Sequence, residues 1–392
     1  MSELLQVAAA LTGSARAGET CVLATVVRTE GSTYRRIGAR LVALPDGSHV
    51  GAVSAGCIET DVILRAERVR ASRTAELMTY DTRSPEDLIW GSGNGCHGVT
   101  ALLLEPLIPE QAAARAERLR TLAESRRHGI LATVFRAAGM SIGPGDQAVL
   151  PDPTANLLGF DEVPAPLRSM IQATARRQLR ARVSSAVHHV WSEQELDIAY
   201  EVCSPRVRVC VCGAGPDAAP LVALAKWMGW RVTLIDHRPA MLSAEQCPEV
   251  DCTLVRSPED VTAAVRRVDC DAAVIMNHRY ERDLDFLAAW LDSDVPFIGV
   301  LGPRQRTGQM LATLAGGEVR LDREEHRIHG PVGLDLGGET PEEIALSIVA
   351  EIKASVAGRD GGALRDRQAP IHNHGKAPVG AAQSPVPLGA RA

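Results

Sequence analysis

Residues 208–239 read RVCVCGAGPDAAPLVALAKWMGWRVTLIDHRP, and their order decides how the chain is built. An apolar run, Val207 to Val211, enters a turn of Gly213, Ala214, Gly215, Pro216, Asp217 and Ala218. An Ala/Leu-rich segment follows, Gly229 breaks it, and a second apolar run ends on Asp236. The succession is strand, glycine turn, helix, strand, acid. In such a turn the first glycine permits the bend, the second admits a pyrophosphate to backbone amides, and the third small residue lets helix and strand pack closely. Asp236 stands twenty-one residues after Gly215, where an acid meets a ribose hydroxyl. Gly213, Gly215 and Asp236 are therefore the candidate nucleotide contacts of a Rossmann-like domain. The pattern speaks more directly to fold than to function, since such domains exchange or lose their ligands.

Outward from this stretch, strand and helix patterns keep alternating. Ala272 to Met276 and Pro296 to Leu301 read as strands and Arg282 to Leu291 as a helix, which predicts right-handed crossovers and a parallel sheet. Ser257-Pro258 reads as a helix start, and Thr340-Pro341-Glu342-Glu343 caps the last helix. His237, His278 and His329 fall just past strands or in the late loop. The first two are expected at the ligand crevice, as a shared metal or proton-transfer pair or simply as isolated side chains.

At 392 residues the chain predicts more than one domain. The expected divisions are 1–108, 109–203, 204–356 and a disordered tail at 357–392. A formal charge of −6 and 3% aromatic residues argue against a nucleic-acid partner. No apolar stretch is long enough for a membrane span. The first residues lack the order of a signal peptide, and nine cysteines fit reduced thiols. Together these predict a cytoplasmic protein. Cys210 and Cys212 read as small buried strand residues rather than a metal pair.

The amino-terminal half carries the more reactive chemistry. Cys21 to Val27 is a β-branched run that reads as a buried strand. It leads into a loop, 31–40, whose Arg35, Arg36 and Arg40 suit an oxyanion, or else form a solvated basic loop. Asp46-Gly47 marks a hairpin. Beyond it come Gly56 and Cys57, with a helix expected to start near Cys57, which favours the thiolate. The plainer alternative for Cys57 is a small residue packed at a strand-to-helix junction. A second glycine-rich stretch, 91–98, surrounds Gly95, Cys96 and His97 and reads as a backbone cradle rather than a zinc site. Cys21 to Arg28 also aligns with Gly129 to Arg136, and Leu44-Pro45-Asp46 with Leu150-Pro151-Asp152. This suggests two related β units in one domain, only the first with a counterpart of Cys57.

Several motifs converge on one resemblance. GSTYRRIGAR (31–40), GAVSAGCIETDV (51–62), CGAGPDA (212–218), IDHRP (235–239), FIGVLGPRQR (297–306) and RIHGPVGLDLGGETPEEIA (327–345) occur in this order and resemble the XdhC/CoxI family. They cover both ends of residues 1–356, and the middle, about 109–200, contributes little. The resemblance implies an α/β protein: an amino-terminal α/β domain with β-hairpins, then a Rossmann-like parallel sheet. It implies a cytosolic, non-enzymatic chaperone that binds molybdenum cofactor. Such a chaperone protects the sulfurated form, works with a cysteine desulfurase, and serves an apo molybdenum hydroxylase of the xanthine or carbon monoxide dehydrogenase type. Cys57 falls on the family's G-C-[LI]-E motif and carries over as the cofactor-contacting, metal-binding position. Many members carry His where this chain has Pro216. A homodimer is compatible with this reading. The competing classes are an NAD(P)-dependent oxidoreductase using Gly213, Gly215 and Asp236, and a scaffold that binds the hydroxylase alone.

Overall fold

The computed structural model describes residues 3–83, 97–243, 245, 248–255, 260–316 and 325–368. The chain divides into two compact units, Glu3–Pro205 and Arg206–Gln368. The expected cap at Ser257-Pro258 and the tail from 369 onward lie outside the described residues.

The first unit is built twice over. Its first half runs α1 (Glu3–Arg16), β1 (Cys21–Gly31), β2 (Arg40–Ala43), β3 (His49–Gly51), α2 (Glu59–Ser72), β4 (Glu76–Asp81) and β5 (Gly98–Leu107). The second runs α3 (Pro109–Glu124), β6 (Gly129–Ala138), β7 (Gln147–Leu150), α4 (Ala165–Ala181), β8 (Ser185–Trp191) and β9 (Gln194–Cys203). The sheets are ordered β3-β2-β1-β5-β4 and β7-β6-β9-β8, all pairs antiparallel.

The registers of the two halves match. Leu23 lies opposite Glu105 on β5, and Leu131 opposite Glu201 on β9. Both long strands carry an irregularity at one position, between Val26 and Arg28 and between Val134 and Arg136. The short alignment in the sequence therefore marks a duplication of the whole α-β-β-α-β-β unit. β1 is a continuous apolar run because both of its faces are covered. Val22, Ala24 and Val26 pack with α2, whereas Cys21 and Leu23 pack with the apolar stripes of α1 and α3.

The second unit alternates strands and helices: β10 (Arg208–Cys212), α5 (Ala218–Trp227), β11 (Arg231–Asp236), β12 (Cys252–Val255), α6 (Val261–Val265), β13 (Ala272–Ile275), α7 (Tyr280–Leu291), β14 (Ile298–Val300), α8 (Arg304–Ala315), β15 (Ile328–His329) and α9 (Pro341–Val356). The sheet is parallel, with order β12-β11-β10-β13-β14-β15. One face packs on α5 and α9, the other on α6, α7 and α8. The strand order reverses at β10, so the crevice for a ligand lies outside the carboxyl ends of β10 and β13. Arg327 is buried and fixes the end of α7, with donors reaching the carbonyls of Leu291, Ser293 and Val295 at 2.7–2.8 Å. Thr340 and Glu343 form the expected capping box on α9. Among the described residues no helix is long and apolar enough to cross a membrane.

Candidate functional site

In the second unit, Gly213 has φ +112°, and a Cβ there would lie 2.7 Å from the Met276 carbonyl oxygen. Only glycine allows the turn after β10 to lie this close to the end of β13. Asp236 ends β11 and turns inward, its side chain fully buried. Its Oδ2 accepts the Ala214 N–H at 2.7 Å and Arg238 Nη2 at 2.8 Å. Its Oδ1 accepts the Arg238 N–H and Nε–H at 2.8 and 3.0 Å. Burial alone would raise its pKa, but the bonds from Arg238 and Ala214 outweigh that and hold it at about 2. The acid expected to meet a ribose is thus committed to Arg238 and to the glycine turn itself. A ribose hydroxyl would have to compete with Arg238. Arg238 went unread in the sequence, although it lies in the IDHRP motif.

The two histidines do stand at strand ends, each beside an acid. His237 Nδ1 is 3.2 Å from Asp236 Oδ1. His278, at φ +59°, reaches Asp217 at 3.0 Å and lies beside Gly215. His329 has a structural setting: it stacks on Phe297 with ring centroids 3.9 Å apart and bonds Glu351 at 2.7 Å. Among the described residues no three His, Cys, Asp or Glu side chains form a metal-holding group. An apolar cavity of about 310 Å³, lined by Ala214, Gly215, Pro216, Val222, Leu234 and Met241, opens beside the turn. Pro216 has no N–H to offer a phosphate.

In the first unit, β1 and β3 run in the same direction, and β5 begins where β1 ends. The arginine loop after β1, the Cys57 loop after β3 and His97 before β5 therefore gather at one end of the sheet. The Ser32 N–H donates to the His97 carbonyl at 3.0 Å, joining two of these segments. Gly95 and Cys96 lie outside the described residues.

The Cys57 loop is held from below. Glu59 is buried and accepts the Val53 and Ser54 N–H groups at 3.2 and 2.7 Å, together with the Ser54 hydroxyl. Ser54 Oγ in turn accepts the N–H groups of Gly56 and Cys57 at 3.1 Å and of Ile58 at 3.4 Å. The Glu59 carboxyl would be pushed up by burial, yet these donors keep it below the usual glutamate range. The helix begins at Glu59 with Ile58 as its cap, two residues later than the sequence suggested, because Ser54 takes the amides that an earlier first turn would use. Gly56, at φ +104°, and Cys57 are left exposed. The thiol is not packed among aliphatic side chains.

The three arginines separate by role. Arg35, Arg36 and Arg40 all line one cavity of about 330 Å³, with Arg35 paired to Glu3. Arg40 differs from its expected role: its side chain is only 2% exposed and its fork is spent on Glu201 of β9. Burial would lower the Arg40 pKa, and Glu201 more than reverses this. Gly38 admits that carboxylate, since a Cβ there would overlap it. Arg40 thus joins the two halves through Glu201 and forms part of the cavity wall.

Residues 14–81 match the model of the XdhC and CoxI family, and residues 209–352 match that of the XdhC Rossmann domain. Over 341 residues the chain is 31% identical to a probable xanthine dehydrogenase subunit from Bacillus subtilis (strain 168), covering 85% of this chain and 92% of that one. The chain belongs to the XdhC and CoxI family. The chain is also similar to the molybdenum cofactor insertion chaperone PaoD of Escherichia coli (strain K12), 24% identical over 338 residues that cover 86% of this chain and 83% of PaoD. A crystal structure described as a xanthine dehydrogenase from Bacillus halodurans superposes with a TM-score of 0.69 at 26% identity, covering 92% of this chain and 97% of that one. The XdhC and CoxI match contains Cys57 and the arginine loop. The XdhC Rossmann match contains Gly213, Gly215 and Asp236.

Proposed function

We propose that this protein is an accessory chaperone that holds molybdenum cofactor as cargo, assists its sulfuration together with a cysteine desulfurase, and passes it to an apo molybdenum hydroxylase. Family membership and the cofactor-insertion relative support the accessory role. The observation that carries the cargo reading is the exposed Cys57 thiol on a loop fixed by Ser54 and Glu59. A thiolate is a soft donor suited to the molybdenum centre. Arg35 and Arg36, at the same end of the sheet, suit the cargo's phosphate. A single soft contact holds cargo and still releases it, whereas a closed set of ligands would trap it.

The test is to load the purified protein with molybdenum cofactor, remove free cofactor by gel filtration and assay bound molybdenum and pterin. Cys57→Ala is expected to weaken retention by about tenfold or more, equivalent to roughly 1.4 kcal/mol. Equal stoichiometry in the native protein and the variant would remove Cys57 from the reading. Calorimetric titration with NAD(H) addresses the oxidoreductase alternative, for which micromolar binding at the glycine turn would be the supporting result.

A further inference from the structure

A second polar cavity, of about 390 Å³, lies in the first unit between the end of α2, the end of β5, α3 and the turn before β7. Glu105 of β5 forms part of its wall, with a side chain only 4% exposed. Its Oε1 accepts from Arg115 Nη2 at 2.9 Å, and the same nitrogen reaches the Gly145 carbonyl at 2.8 Å. Gly145, at φ +98°, makes room for the pair, because a Cβ there would lie 2.6 Å from Glu105 Oε1. The other two ends of this ion pair, Glu105 Oε2 and Arg115 Nη1, are buried and have no hydrogen-bond partner among the described residues. One is an acceptor needing a donor and the other a donor needing an acceptor. Leaving either unsatisfied is costly.

The surrounding charge decides what fits. Arg118, one turn along α3 from Arg115, bonds the neutral Gln147 Oε1, at 3.1 Å, and Arg73 at the end of α2 also lines the cavity. Burial first, and then Arg115, push the Arg118 pKa down, while burial pushes the Glu105 carboxyl up against the pull of Arg115 and Arg40. Asp146, whose Oδ2 accepts the Gly143 N–H at 2.8 Å, adds one negative charge to the lining, against the positive charges of Arg73, Arg115 and Arg118. Adjacent guanidinium groups call for an anion. The buried carboxylate oxygen calls for an anion that also carries a proton.

We propose that this cavity binds a protonated phosphate group, as orthophosphate or a phosphate monoester. Its oxygens accept from Arg115 Nη1 and Arg118, and its P–OH donates to Glu105 Oε2. The fourteen residues of α2, about 21 Å of helix, separate Arg73 from the Cys57 loop. The phosphate site is therefore distinct from the cargo-holding thiol.

Sulfate discriminates, because it matches phosphate in shape but carries no proton to give Glu105. Calorimetry on the full-length protein at pH 6, where a monoester is about half protonated, would use sodium phosphate, glycerol phosphate and sodium sulfate in turn. The expected result is binding of phosphate, its monoester or both, with sulfate at least about tenfold weaker. Binding of the monoester alone identifies an esterified ligand, and binding of orthophosphate identifies the free anion. Arg118→Gln should weaken phosphate by about tenfold. Glu105→Gln replaces the acceptor with an amide that can donate, and should bring sulfate up to the level of phosphate. Equal affinity for sulfate and phosphate in the native protein, no binding of either phosphate compound, or an Arg118→Gln protein that binds phosphate as well as the native one would each overturn the proposal. The Arg118 variant decides the matter even if Glu105→Gln fails to fold.

Discussion

Asp236 shows how one side chain can look like a ligand contact and serve the fold. It is buried among donors from Arg238 and Ala214, and its pKa of about 2 lies below the ordinary aspartate value of about 3.9. A depressed folded pKa contributes stability that is present above about pH 4 and is lost as the pH falls through about 2. The difference is equivalent to between about 2 and 3 kcal/mol. Asp236→Asn should therefore destabilise the second unit by about that amount at pH 7 in urea unfolding. The gap between variant and native protein should close on acidification towards pH 2. A gap that stays constant from pH 7 to pH 2 would mean that the carboxylate's charge is not what stabilises the turn.

At the scale of elements, the Cys57 loop depends on Ser54 and Glu59. Ser54→Ala removes the hydroxyl that accepts from Gly56, Cys57 and Ile58 and donates to Glu59. Water can replace some of these partners at the exposed loop, so the stability cost should be about 1 kcal/mol. The larger effect should fall on cargo, because the thiol loses its fixed position. Bound molybdenum in Ser54→Ala should lie between the native level and that of Cys57→Ala. Native-level occupancy would show that position is unimportant. The parallel sheet and the hairpin at Asp46-Gly47 were legible in the sequence, because turn chemistry and apolar period are local signals. The Ser54–Glu59 support was only partly visible, as a hydroxyl ahead of a helix and an acid in its first turn. The Arg40–Glu201 pair was not visible at all, since its members are 161 residues apart and no spacing rule joins them.

For the first unit as a whole, the duplication explains both what is shared and what differs. Residues 82–97 connect β4 to β5, whereas Ser192 and Glu193 alone connect β8 to β9. The first copy thus has a long glycine-containing connection, and the second closes with a tight hairpin. The equivalent glutamates also cross over: Glu201 of the second copy enters the Gly38 turn of the first, and Glu105 of the first enters the Gly145 turn of the second. Their cations have different origins. Glu201 is matched by Arg40 at the start of β2, where the other copy has Gln147. Glu105 is matched by Arg115 of α3. Arg40→Gln gives the first copy the residue of the second without a mid-helix arginine to compensate, since the arginine of α1, Arg16, is its last residue, and leaves Glu201, 13% exposed, without its guanidinium. Removing one member of such a buried pair costs about 3–5 kcal/mol. That loss should appear as a lower denaturant midpoint for the first unit. Neutralising the partner as well, in Arg40→Gln/Glu201→Gln, removes the uncompensated charge and should recover part of the loss. If the double variant were no more stable than Arg40→Gln, the cost would lie in lost packing of the arginine stem, and the charge pair would not be what joins the two copies.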